Sequence, residues 1–199
     1  METIEQKLRK NGITNGLLLG IIILVSGIIS FYFITAMTNN MIMLVLGPVL
    51  FSTLVPLIFA VVFCFDLRKK IGGFWNYRQA TTGIFIMFLC AYILSYGGNL
   101  VFSKVIEPDM VEKMKTVFVT TTTNMLEKQK IDQETIDKKV ADIESNFDSQ
   151  KKMTAISIIK SLGIAIIMDF VIALIFAAFF KKEPLLQVDN QNYSANPTL

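Results

Sequence analysis

Residues 104–153, KVIEPDMVEKMKTVFVTTTTNMLEKQKIDQETIDKKVADIESNFDSQKKM, are the one long water-compatible stretch in a chain of 199 residues. They hold nine of the nineteen Lys and Arg residues and ten of the sixteen Asp and Glu residues, so the segment is wet but nearly neutral. Two apolar stripes run through it. The first is Met110, Val111, Met114, Val117, Phe118 and Met125; the second is Ile136, Val140, Ile143 and Phe147. Spacings of three and four place each stripe on one face of a helix. Glu107-Pro108-Asp109 reads as the start of the first helix, with proline in the first turn and acids near the positive end of the dipole. Asp132, followed by Glu134, reads as the N-cap of the second. Residues 120–123 are four threonines, whose β-branching lowers helix propensity in the first helix. The expected product is a two-helix hairpin closing apolar face on apolar face.

The flanks decide what that hairpin is inserted into. Hydrophobic residues make up 53% of the chain, charged residues 18%, and mean hydropathy is +0.54, a balance that would leave a soluble domain with too much apolar surface. Four apolar runs stand out, at 13–36, 41–65, 80–103 and 154–180. A hydrocarbon core about 30 Å thick needs roughly 20 helical residues, so each run is long enough to span it. The first is too long for a signal peptide, whose apolar region is about 7–15 residues, and lacks a convincing cleavage site. The sequence therefore predicts an all-α membrane protein of four transmembrane helices, with residues 104–153 as an extramembrane hairpin between the third and fourth. Residues 1–183 form a single domain, and 184–199, polar and rich in Asn and Pro, are expected to be a disordered tail.

Details within the spans sharpen this. Gly12, Gly16 and Gly20 recur every four residues, giving a bare strip where another helix can approach closely. Pro48 and Pro56 remove backbone donors, so a kinked second span is expected. Residues 38–40 form a tight, uncharged turn. Gly72-Gly73 breaks the helix in the basic connector at 66–79, and the aromatics Phe74, Trp75 and Tyr77 are expected at the headgroup level. Gly97-Gly98 is expected to loosen the outer third of the third span. Residues 1–11 and 66–79 together carry seven Lys and Arg, against none at 38–40. By the positive-inside rule both termini are cytoplasmic and 104–153 is external, although its own lysines weigh the other way.

Chemistry has few places to reside. The chain has no histidine, which removes the commonest metal ligand and general base. Cys64 and Cys90 both fall in apolar runs and read as small buried hydrophobes rather than a disulfide or metal pair. No phosphate-cradling loop, zinc spacing or nucleophile with a base appears, so no enzyme activity, cofactor or metal is expected, and the weak net charge of +3 does not argue for nucleic acid. The unusual residue is Asp169, midway along the fourth run. A carboxylate there costs several kcal/mol unless paired or neutralised, which makes it a functional hypothesis by default. Ala165, Ala173 and Ala177 share its face, which should point into the bundle. Counting depth from the span ends puts Ser26, Thr53 and Tyr92 at its level, as candidate members of one polar cluster. A packing acid hydrogen-bonded to a hydroxyl is the plainer alternative. Lys160 lies nine residues from Asp169 on the opposite face of the helix, so it cannot pair with it directly, and it can snorkel to the interface.

The segment at 73–83 (GFWNYRQATTG), the Pro108-Asp109 pair, the Asp132-Gln133-Glu134-Thr135-Ile136 start and the Lys181-Lys182 exit together resemble domain-of-unknown-function family 4199, a bacterial family, over roughly residues 10–183. The resemblance implies a small inner-membrane protein with four spans and a soluble insertion between the last two, and it brings no activity or binding residues. Two functions remain open. One is a non-enzymatic interaction or structural component of the lipid bilayer, docking a second copy or another membrane protein through Met114, Val117, Phe118, Ile136, Val140, Ile143 and Phe147. The other is a small transporter or channel component using Asp169.

Overall fold

The structure, a computed structural model, describes residues 3–37, 40–151 and 155–183. Four helical stretches are long and apolar enough to cross a membrane: Ile4–Ala36, Met41–Lys70, Tyr77–Ile106 and Ile156–Phe180. Each contains the corresponding apolar run, apart from residues 154 and 155 of the last; residue 154 lies outside the described residues, as do most of the expected turn at 38–40 and the expected tail at 184–199. The first three helices also overrun their apolar cores. Helix α1 (Ile4–Met37) begins in the basic segment, because Thr3 and Gln6 exchange backbone-to-side-chain hydrogen bonds of 2.9 and 3.3 Å and cap it.

The second stretch is α2 (Met41–Pro48), a π-helical turn (Val49–Leu54) and α3 (Val55–Lys70). The wide turn lies between the two prolines. Ahead of Pro56 the ladder shifts register, and the Val55 N–H donates to Leu50 O five residues back. Gly72 and Gly73, at φ +112° and +86°, then turn the chain in a conformation side chains resist. Helix α4 (Tyr77–Val101) opens with a capping box in which Asn76 and Gln79 satisfy each other's backbone N–H groups at 2.9 and 3.1 Å. It runs through Gly97-Gly98 without loosening, because Leu24 of α1 fills the space a Cβ on Gly98 would need. A second π turn (Phe102–Ile106) ends it. Helices α5 (Met110–Lys128), α6 (Gln133–Lys151) and α7 (Ala155–Phe180) follow.

Close approach of α1 to α4 builds the core. Gly12 faces Gly83, Gly16 faces Met87 and Gly20 faces Ala91, so the two helices run parallel with their backbones nearly touching. Helix α3 packs on α1 and α7 packs on α4. At the basic end, Leu8, Leu67 and Trp75 close over Gly83. Trp75 is turned into the protein rather than out toward lipid: it is 1% exposed and donates its indole N–H to Phe180 O at 2.7 Å. Its backbone also forms an isolated antiparallel bridge with Lys182. The segment returning from Gly72-Gly73 thus clamps the end of α7, a long-range contact invisible to local pattern.

Helix α5 lies against the end of α1 and the start of α2, and α6 lies on α5. The rings of Phe118 and Phe147 meet at 5.7 Å, and Lys115 reaches Asp148 at 3.6 Å. The threonine run stays helical, with Thr121 and Thr122 buried. Asp132 caps α6 by accepting from the Thr135 N–H at 2.9 Å and the Thr135 hydroxyl at 3.0 Å. The Thr135 backbone N–H, then its hydroxyl, hold the Asp132 carboxyl below the usual carboxylate range. Because the folded value is depressed, the capping contribution is full above the unfolded carboxylate range and fades as pH falls through the folded value. Amide exchange at residues 133–137 should accelerate several-fold in Asp132→Ala, and in the wild type only at acid pH; exchange unchanged in the variant would show that the cap does not hold α6.

Candidate functional site

Asp169 is carried inward by its neighbours. Ala173 and Ala177 are fully buried, and such small residues let α7 lie close to α4. Among the described residues, Asp169 Oδ2 is the buried side-chain polar atom without a hydrogen-bond partner in the protein. A buried carboxyl oxygen left unpaired costs roughly 1–3 kcal/mol or more, so the position carries a real penalty.

It lines a cavity of about 340 Å³ to which all four long stretches contribute. Leu19 and Ile23 come from α1, Ser52 and Thr53 from the π turn, Tyr92 and Ser95 from α4. The wall is mainly apolar, with these hydroxyls and one carboxyl as polar points. Ser95 donates to Tyr92 O at 3.1 Å, and the Tyr92 ring stacks on Tyr96 with centroids 5.8 Å apart. At the basic end α3 and α7 meet where Phe65 and Phe180 pack edge to face at 4.9 Å. Asp169 lies eleven residues before Phe180, roughly 16 Å along the helix axis.

Of the cluster expected from depth counting, Thr53, Tyr92 and Asp169 line one cavity and Ser26 does not. Ser26 is buried on the same face of α1 as Leu19 and Ile23, but a turn further along. Ser52 and Ser95 join the cavity without having been expected. Ser95 sits three residues from Tyr92 on one helical face, a signal the sequence did carry; Ser52 depends on the π turn. Ile136 is 2% exposed, and Met114, Val117, Phe118, Val140, Ile143 and Phe147 are half-buried. Lys160 is exposed, and both cysteines are free thiols.

A second polar group was hidden inside the first apolar run. Asn15, fully buried, donates to Asp66 Oδ2 at 2.9 Å and Phe63 O at 3.3 Å, and accepts from Lys70 Nζ at 3.1 Å. Lys70 also pairs with Asp66 at 2.6 Å. Every polar atom of the Asn15 side chain is used, so this network joins α1 to α3 rather than waiting for a ligand. Among the described residues no three His, Cys, Asp or Glu side chains gather to hold a metal.

These features define an all-helical protein with four helices fit to cross a membrane and an acid in the middle of the last. The family model described as Protein of unknown function (DUF4199) matches residues 14–182, and the chain belongs to that family. No curated protein and no solved structure matches the chain.

Proposed function

We propose that this chain is a non-enzymatic membrane protein that binds a small, largely apolar molecule bearing an amine or other strong hydrogen-bond donor, in the manner of a small transporter component. The observation that carries the reading is that Asp169, whose buried Oδ2 has no hydrogen-bond partner in the protein, lines a cavity of about 340 Å³. Ligand sites are concave, mostly apolar and oriented by a few polar groups, and this cavity has that composition. A donor from the ligand would pair with the carboxyl group of Asp169, the acid in the cavity wall. The π turn beside it supports the same reading, since such turns recur at functional sites. Catalysis would need two or three converging acid–base groups, and one carboxyl among hydroxyls does not supply them.

Placement in a cytoplasmic membrane follows from charge. The basic residues Arg9, Lys70, Arg78 and Lys182 lie at the end where α1 and α4 begin, which the positive-inside rule assigns to the cytoplasm. Helices α5 and α6 then form an external hairpin. An interaction role for that hairpin is supported less, because the apolar stripes that would dock a partner are at least half-buried.

The test uses dansylcadaverine, a fluorescent apolar amine, with dansylamide as the amine-free control, on the full chain in liposomes. Saturable fluorescence enhancement is expected with the amine. Asp169→Asn should lose at least about tenfold in affinity, since losing a charge-assisted bond costs roughly 1.5–3 kcal/mol. The same variant should melt no lower than wild type, because it removes a penalised group. Equal binding by wild type and variant would overturn the proposal.

A further inference from the structure

At the basic end, a second cavity of about 390 Å³ lies between the first turns of α1 and α4, and Arg9 and Arg78 both line it. Their convergence follows from the parallel packing of the two helices: with Gly12 on Gly83, the residue three before Gly12 comes level with the first turn of α4. The chain has three arginines, Arg9, Arg68 and Arg78. Arg68 is already engaged, its guanidinium 5.2 Å from the centre of the Phe65 ring. Among the described residues neither Arg9 nor Arg78 makes an ion pair. Asn76, Gln79 and Thr82 supply further polar wall, while Leu8 forms an apolar floor. Glu5 also lines the cavity and offsets one of the two positive charges.

We infer that this cavity is an anion site that takes a phosphate group, held between the two guanidinium forks. A guanidinium presents paired donors that match phosphate geometry, and two from separate helices can grip one phosphate from both sides. The site sits where the apolar part of α1 gives way to Arg9 and Lys10, the level of lipid phosphates. The site is separate from the Asp169 cavity, so either can fail without the other.

Native mass spectrometry of the full chain in mild detergent tests it, with phosphatidylglycerol, phosphatidylcholine and inorganic phosphate as probes. Phosphatidylglycerol should be retained in preference to phosphatidylcholine, and Arg9→Gln/Arg78→Gln should weaken retention by about thirtyfold. Arg9→Lys/Arg78→Lys keeps the charge without the forks and should retain an intermediate amount, and Arg68→Gln should change nothing. Preference for phosphatidylglycerol without binding of inorganic phosphate identifies a lipid headgroup as the occupant. Saturable binding of inorganic phosphate without lipid preference identifies a free phosphate. Equal retention of every probe by wild type and the double Gln variant would overturn the inference; if that variant does not fold, equal retention by wild type and the double Lys variant, together with no lipid preference and no phosphate binding, would do so.

Discussion

Gly16→Leu is expected to separate α1 from α4 and leave little folded protein. A Cβ on Gly16 would stand 2.5 Å from Met87 O, 2.8 Å from Cys90 Cβ and 3.1 Å from Met87 Cα. Two of those three atoms are backbone, so no rotamer change relieves the clash. The helices must move apart along a line that also carries Gly12 and Gly20. In lipid, helix association rests on close packing rather than on the hydrophobic effect, so widening this contact removes what holds the pair. Overpacking costs about 1–3 kcal/mol where side chains can adjust, and the loss here should be about 3 kcal/mol or more. Gly27 is the control within the same helix, since a Cβ there meets nothing within 4 Å. Gly27→Ala should stay within about 0.5 kcal/mol of wild type. Unfolding followed by denaturing-detergent titration in mild micelles reads both. A Gly16→Leu protein with the wild-type midpoint would refute parallel α1–α4 packing.

Trp75→Ala should have the next largest effect, about 3–5 kcal/mol. The side chain is 1% exposed and lies over Gly83 with Leu8 and Leu67, so truncation opens a cavity where three helices converge. It also removes the 2.7 Å hydrogen bond to Phe180 O, orphaning a carbonyl at the end of α7. Trp75→Phe separates the two contributions. It keeps most of the ring but not the donor, and should cost about 1 kcal/mol. Amide exchange in the last turn of α7 should rise in both variants, more in alanine. If Trp75→Ala left that turn as protected as in wild type, Trp75 would be an ordinary interfacial aromatic after all.

The gross architecture was legible because its signals are local. Apolar runs of more than 20 residues, the glycines at 12, 16 and 20, and the Asp132 cap each carry their meaning within a few turns of helix. Asp169 was legible for the same reason: an acid in a long apolar run is conspicuous wherever the helix goes. What escaped depends on contacts between distant segments. Trp75 reads as a headgroup aromatic until Phe180 O is brought to it. Asn15 reads as a blemish in an apolar run until Asp66 and Lys70 arrive from α3. Ser26 was misjudged because counting depth from the span ends set it level with a cavity whose α1 wall, Leu19 and Ile23, ends a turn earlier. Ser52 needed the π turn, whose register shift ahead of Pro56 no periodicity reveals. The extent of the helices was underestimated at Thr3 and Asn76, where caps recruit polar residues that a hydropathy window excludes.

The central claim is that Asp169 faces an accessible cavity within the membrane. Labelling of the full chain in liposomes with an apolar carbodiimide, read by peptide mass mapping, tests it most directly. Such a reagent partitions into the bilayer and adds to a carboxyl group held away from water. One dominant adduct on Asp169 is expected, absent from Asp169→Asn. No adduct on Asp169, with acids elsewhere in the chain labelled instead, would contradict the account.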